Sequence, residues 1–248
     1  VPFKGLAGAL RTLTIIPAFG AEPQKRYLIL PWFAVVGGVI GALLAGCAEV
    51  MRFFPPAMAP LAGLLIASVN YILTGALHLD GFADTADAFG IKHSREKTLE
   101  ILRDTHIGSF GAGAIVIIII WRIIVSGELS KEALFWIAVA PVFSRLLLGL
   151  LFSFLPYSRG NDGKASGLKG TPLIISLLFI QLAAFIAFTW YYSGFHRMIL
   201  PFVCGILLSS IPVILSLRRI GGITGDIAGA ATELFECAFL TGALALAV

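Results

Sequence analysis

The 248-residue chain reads as an all-α membrane protein: a polytopic transmembrane helical bundle of about seven spans (six to eight). An N-terminal interfacial or re-entrant helix is expected ahead of the first span. Three observations predict this. Hydrophobic residues make up 58% of the chain and charged residues only 13%, where a soluble domain has about 45–50% and about 25%. Several apolar runs approach the ~20 helical residues that cross a hydrocarbon core. Finally, runs such as Ile115-Val116-Ile117-Ile118-Ile119-Ile120 do not alternate, so they do not suit the strands of a membrane barrel.

In chain order, residues 1–17 are too polar and too often broken for a cleavable signal, with Lys4, Gly5, Arg11 and Pro17 among them. Phe3, Leu6, Leu10 and Leu13 share one side of that helix. Spans follow near 29–50, 57–77, 108–126, 132–155, 172–192, 198–216 and 227–247, in one integral domain over 1–248. A short amphipathic helix is expected from Ser94, an N-cap, with Leu99 and Leu102 on one side. Cys47, Cys204 and Cys237 lie scattered in apolar segments and read as buried small hydrophobes rather than as a disulfide framework.

The net charge of +4 reports orientation and not a nucleic-acid partner. With the N-terminus in the cytoplasm, thirteen of the 18 Lys and Arg fall in inside loops and three (Arg52, Lys131, Arg197) outside. Arg122 and Arg145 lie within spans, and Arg145 is expected to pair with a buried acid or a carbonyl. That bias fits the positive-inside rule. It puts three polar segments, near 78–111, 156–170 and 221–236, at the cytoplasmic face of the cytoplasmic membrane. A transporter places its ionisable residues near mid-membrane on interrupted helices; clustering at one interface favours an enzyme.

The first segment carries the sharpest pattern. Asp80, Asp84 and Asp87 stand at i, i+4 and i+7, within an arc of roughly 60° on one helix face. Like charges that close repel unless a cation sits among them, and magnesium is held by one or two carboxylates plus waters and substrate phosphates. The three aspartates are therefore the metal candidates, for Mg2+. Arg103, Arg159 and Lys164 are candidates to clamp a diphosphate, and Asp104 or Asp226 to fold over the metal. Asp87, His78 or His106 could take a proton from an attacking hydroxyl. Each has a plainer reading: a solvated acidic face, histidines bonded to backbone at helix ends, basic residues that only set orientation. Asp226 and Glu233, at i and i+7, read equally as interhelical hydrogen bonders. The residues by themselves lead to a metal-dependent membrane phosphotransferase.

The wording of the clusters goes further. Gly75-Ala76-Leu77-His78-Leu79-Asp80-Gly81-Phe82-Ala83-Asp84-Thr85-Ala86-Asp87 is followed by Arg103-Asp104-Thr105-His106-Ile107-Gly108-Ser109-Phe110-Gly111 and Gly221-Gly222-Ile223-Thr224-Gly225-Asp226. Together these strongly resemble the cobalamin synthase family, also called adenosylcobinamide-GDP ribazoletransferase. Leu10-Arg11-Thr12-Leu13-Thr14, Pro31-Trp32-Phe33-Ala34-Val35-Val36-Gly37-Gly38 and Leu155-Pro156-Tyr157-Ser158-Arg159 look like its other landmarks, so the resemblance runs the length of the chain. It implies a magnesium enzyme of the cytoplasmic membrane that joins adenosylcobinamide-GDP to α-ribazole or its 5′-phosphate and releases GMP. It also implies Asp80, Asp84 and Asp87 as the metal face. Arg103, Asp104, His106, Arg159, Lys164, Thr224, Asp226 and Glu233 are then the substrate-binding candidates, and Asp87 and His78 the catalytic ones. The chain departs from the family where Ile16 precedes Pro17 and where His106 precedes Ile107, both places that are often basic. The pattern over 159–170 is also looser. A homo-oligomer is left open.

Two rivals remain. A CDP-alcohol phosphotransferase also arrays aspartates along a membrane helix, but here Asp84 follows Ala83 where that signature has arginine. An ion-coupled transporter would use the same acids to bind cations.

Overall fold

The computed structural model describes residues 2–19, 23–160, 163 and 165–246. Among these the regular structure is entirely helical, and seven segments are long and apolar enough to cross a membrane. The helices are α1 (Pro2–Leu13), α2 (Phe33–Met51), α3 (Ala59–Leu73), α4 (Leu77–Gly90), α5 (Arg95–Ile101) and α6 (Ser109–Glu132). They continue as α7 (Leu134–Phe154), α8 (Pro172–Ser193), α9 (Phe195–Ile220) and α10 (Gly225–Leu244). A 3-10 turn, Arg26–Trp32, runs directly into α2 and extends that span. All seven expected spans are present, with ends moved by a few residues.

Helix α10 is the hub: it packs on α9, α4, α7 and α6. Its sequence explains the place. Gly225, Ala228, Gly229, Ala230, Ala231 and Gly242 let neighbouring backbones come close, the usual device where hydrocarbon supplies no hydrophobic drive between helices. Two further pairs cross on glycine. Gly37 and Gly41 of α2 lie against α7 backbone, and Gly63 and Gly127 join α3 to α6. Helix α8 leaves most of its side chains facing outward, as its all-round apolar sequence allows.

The short helices shape one end of the bundle. Helix α1, at 12 residues, is too short to span. It packs against the 3-10 turn and α2, burying Leu13 together with Ala7 and Ala9. Helix α5 is capped by Ser94, whose Oγ accepts the Lys97 N–H at 3.2 Å, and it buries Leu102 as the pattern predicts. Between α3 and α4 the chain turns on Gly75 and Ala76, both left-handed (φ 58° and 54°). Glycine takes that conformation freely; alanine pays for it. Two bonds hold Ala76 there: its N–H reaches the Tyr71 carbonyl at 2.8 Å, and its own carbonyl accepts Asp80 N–H at 2.9 Å. The turn ends span α3 and redirects α4, the aspartate helix, so that α4 packs along α10 and α6.

Candidate active site

Three separate stretches are tied together at this end. Ser158 N–H donates to Ile223 O at 2.9 Å and Ile223 N–H to Pro156 O at 2.8 Å, a single parallel bridge that pins the 156–170 loop to the start of α10. From the other side Arg26 Nη1 donates to Ser166 O at 3.1 Å. Thr224 caps α10, accepting Ile227 N–H at 3.3 Å and donating to Asp226 Oδ2 at 3.1 Å. Arg159 then reaches Asp226 Oδ2 at 2.7 Å and also holds the Leu102 carbonyl. Helix α4 comes in at Gly81, where a Cβ would stand only 2.8 Å from Asp226 Cα. That approach sets the aspartates of α4 against Asp226.

These contacts enclose a cleft of about 840 Å3. Asp80, His78, Asp226, Arg159, Tyr157, Arg11 and Arg26 are on its polar wall. Asp84, half-buried beside it, feels all its acidic neighbours. Burial, then the charges of Asp80 and Asp226, push its carboxyl up to about 7; Arg159 opposes and Asp87 adds to the rise. A carboxyl raised by burial and then by neighbouring carboxylates marks a place short of positive charge. The consequence for stability has a definite sign. The folded protein holds the Asp84 proton more tightly than the unfolded chain, so Asp84 lowers stability as pH rises from about 4 to about 7, and no further above that. Thermal unfolding in a chelator should show a higher melting temperature at pH 5 than at pH 7.5, and Asp84→Asn should shrink the difference.

His78 is 3% exposed, and its Nε2 is buried with no hydrogen-bond partner among the described residues. Burial first, then the charges of Arg145 and Arg122, hold its imidazole well below the ordinary range, so it is neutral.

The remaining sequence candidates go elsewhere. Asp87 lies within the field of Asp84, and both its oxygens already accept backbone amides. Its Oδ2 accepts Gly108 N–H and its Oδ1 accepts Gly111 N–H, both at 2.8 Å, so it caps α6. The physical reason is the unpaired amides that every helix N-terminus presents. Arg103, Asp104 and His106 lie exposed in the turn before α6 and outside the cleft lining. There Asp104 accepts both His106 N–H and the His106 ring at 3.0 and 2.8 Å, which keeps its carboxyl below the usual range. Thr224 acts through Asp226. Lys164 lies outside the described residues. Among those residues no three His, Cys, Asp or Glu converge as a group able to hold a metal by themselves.

Glu233 follows the interhelical reading and not the substrate-binding one. It lies in the bundle interior, 2% exposed, with Arg122 Nη2 at 2.7 Å. Arg122 Nη1 also reaches Glu236 at 2.8 Å, and Arg145 meets the other oxygen of Glu236, joined there by Ser144 Oγ at 2.7 Å. Two arginines and two glutamates thus cancel inside the bundle. Polar residues are therefore not confined to one interface: charges at membrane depth turn inward and pair. The pairing of Arg145 with a buried acid is as the sequence suggests. Sequence reasoning missed Arg11 and Arg26 as cleft residues. The signal for Arg11 was in view, inside Leu10-Arg11-Thr12-Leu13-Thr14, but a helix read as interfacial gave no reason to send it to the site.

The family model described as Cobalamin-5-phosphate synthase matches residues 5–244. The adenosylcobinamide-GDP ribazoletransferase of Chlorobium chlorochromatii is 37% identical over 247 residues, covering 98% of this chain and 96% of that protein. The proteins of the same name in Chlorobaculum tepidum and Azorhizobium caulinodans are 37% and 36% identical, over 95% and 92% of this chain and 92% and 90% of their own. No solved structure matches. Extending over nearly the whole chain and through each segment that builds the cleft, this likeness shows that the protein belongs to the cobalamin-5-phosphate synthase family.

Proposed function

We propose that this protein is a magnesium-dependent adenosylcobinamide-GDP ribazoletransferase that works at the cytoplasmic face of the cytoplasmic membrane. It joins adenosylcobinamide-GDP to α-ribazole or its 5′-phosphate, giving adenosylcobalamin or its phosphate and GMP. The observation that carries this reading is the gathering of Asp80, Asp226 and Arg159 in one cleft, with Asp84 within the field of all three, built from segments far apart in the chain. The basic loops on the same side support the orientation.

In the reaction a ribose hydroxyl of ribazole attacks the phosphorus nearest cobinamide. The new oxygen–phosphorus bond forms as the bond from that phosphorus to the bridging oxygen breaks, and GMP departs with the bridging oxygen. The residues present suit magnesium in its usual manner, with few carboxylates and the rest of the shell from substrate phosphates and water. Asp80 and Asp84 would hold it, and Asp226 lies within their field. When bound, it would neutralise the diphosphate and stabilise the departing phosphate oxygen. Arg159, oriented by Asp226 and the Leu102 carbonyl, is placed to bind a diphosphate oxygen. With both its oxygens accepting amides at the start of α6, Asp87 is the weaker candidate for the base. His78 takes that role: neutral, it can accept the hydroxyl proton, and the negative diphosphate raises its basicity as substrate binds.

The test is direct. Protein in lipid nanodiscs, given adenosylcobinamide-GDP, α-ribazole 5′-phosphate and magnesium, should release GMP one-for-one with the corrinoid product. Asp84→Asn should cut turnover by ~10²-fold or more at unchanged folding, as expected for losing charge at a metal that serves the transition state. CMP release from a CDP-alcohol instead, or turnover that ignores chelator, would overturn the assignment.

A further inference from the structure

Tyr71 of α3 stands where four helices meet. Its ring packs in a small apolar cluster with Leu79 of α4, Ile118 of α6 and Cys237 of α10. The Arg122 guanidinium lies over that ring, 5.4 Å from its centre. The Tyr71 hydroxyl accepts Arg122 Nε–H at 3.2 Å and faces Glu233 Oε2 at 3.5 Å. The buried ion network thus holds the phenol at its tip and over its face. Its main chain leads the other way, toward the cleft. The Tyr71 carbonyl accepts Ala76 N–H at 2.8 Å, and the Ala76 carbonyl accepts Asp80 N–H at 2.9 Å. Given the reaction proposed above, on which this inference rests, we propose that Tyr71 is a positioning residue. Held by Arg122 and Glu233, it fixes the Gly75–Ala76 turn and with it where α4 presents Asp80 and Asp84.

The turn needs such a holder. Among the described residues Ala76 is the one non-glycine with a positive φ, 54°. Side chains avoid that conformation, and it persists only where the surroundings impose it. Gly75 beside it imposes nothing, since glycine takes many conformations freely. The register of α10 ties the same parts together. Asp226, Gly229 and Glu233 stand at i, i+3 and i+7, on one helix face. Asp226 lies against Gly81, a Cβ on Gly229 would stand 3.2 Å from His78 Cα, and Glu233 meets Arg122. One face of α10 therefore seats α4 at the cleft and, deeper in the bundle, anchors the network that holds Tyr71. A shift of the phenol passes to α4 through two backbone hydrogen bonds, and a site that works by positioning is steeply sensitive to such shifts.

The experiment compares two interhelical hydrogen bonds in lipid nanodiscs. Tyr71→Phe removes the hydroxyl and keeps the ring. Thr241→Val removes the acceptor of Trp121 Nε1–H (2.8 Å), a bond that also joins α6 to α10 but lies about two turns further along α10 from Asp226. Amide hydrogen exchange is measured first, in chelator and without substrate. Tyr71→Phe should speed exchange across residues 76–80 about tenfold, and Thr241→Val should leave that segment within about twofold. Steady-state GMP release is measured next. Tyr71→Phe should lower kcat about tenfold with KM for α-ribazole 5′-phosphate within twofold, whereas Thr241→Val should keep both within twofold. A tyrosine that served stability alone would lower the melting temperature and leave both readouts unmoved. Ala76→Gly reads the same relay from its other end and decides the matter if Tyr71→Phe does not fold. It removes the left-handed cost, so the melting temperature should hold, while exchange at 76–80 speeds up and kcat falls about threefold. Unchanged exchange and kcat in the variant that folds, or equal changes in Thr241→Val, overturn the positioning role and leave the proposed reaction intact. Absence of GMP release by unmodified protein overturns the reaction itself.

Discussion

Gly81→Ala is expected to lower turnover by ~10²-fold or more and to destabilise the protein by about 1–3 kcal/mol. The added methyl would stand 2.8 Å from both Cα and O of Asp226, main-chain atoms that no rotamer change can move aside. Helix α4 must then separate from α10, carrying Asp80 and Asp84 away from Asp226 and Arg159. A displacement of about 1 Å is enough to lose that much rate in a site that works by positioning. The control is Gly113→Ala in α6, where an added Cβ meets nothing within 4 Å. It should be neutral or slightly stabilising, since alanine favours helix by about 1 kcal/mol over glycine. GMP release and thermal unfolding of both variants in nanodiscs decide the matter. Wild-type turnover in Gly81→Ala would mean that the close approach of α4 to α10 does not set the site.

Glu236→Gln is expected to cost about 3–5 kcal/mol of stability, with the damage showing in unfolding before it shows in substrate affinity. Glu236 is the carboxylate in contact with Arg145 and one of two in contact with Arg122. Its neutral amide takes away the carboxylate in direct contact with the buried Arg145 guanidinium, and a poorly paired charge at membrane depth is costly. Glu233→Gln should cost less, because Arg122 keeps Glu236 at 2.8 Å. Unfolding titrations of both variants measure the order. Equal losses would show that the four side chains act as one unit, and the reverse order would show that the contact of Glu236 with both arginines does not set the cost.

Much of the fold was legible because bilayer physics writes it into composition. Each span needs some twenty apolar residues, and each break shows as Gly, Pro or charge. Thus Gly194, Gly221 and the Gly75–Ala76 turn all end helices close to where the pattern says they should. The Asp80–Asp84 face was legible for a similar reason: helical period alone puts those two side chains together. The same period also predicted Asp87 on that face, and there it was insufficient. Whether a carboxylate looks to a cleft or to a neighbouring helix end depends on what packs beside it, and α6 brings two bare amides to Asp87. Glu233 shows the same limit. Its register on α10 is visible in the sequence, but its partner Arg122 lies 111 residues away.

The sequence by itself determined the class of the protein, its seven candidate spans and, through its motif wording, its family. Those are local or additive properties, set by hydropathy, period and charge count. Only the tertiary structure decided which polar residues share a cleft. It put Arg11 and Arg26 in, left Arg103, Asp104 and His106 exposed outside it, and buried Glu233 in an ion network with Arg122. It did so through close contacts of α4, α10 and the 156–170 loop, segments that no spacing rule connects. Such contacts depend on which small residues meet across helices distant in sequence.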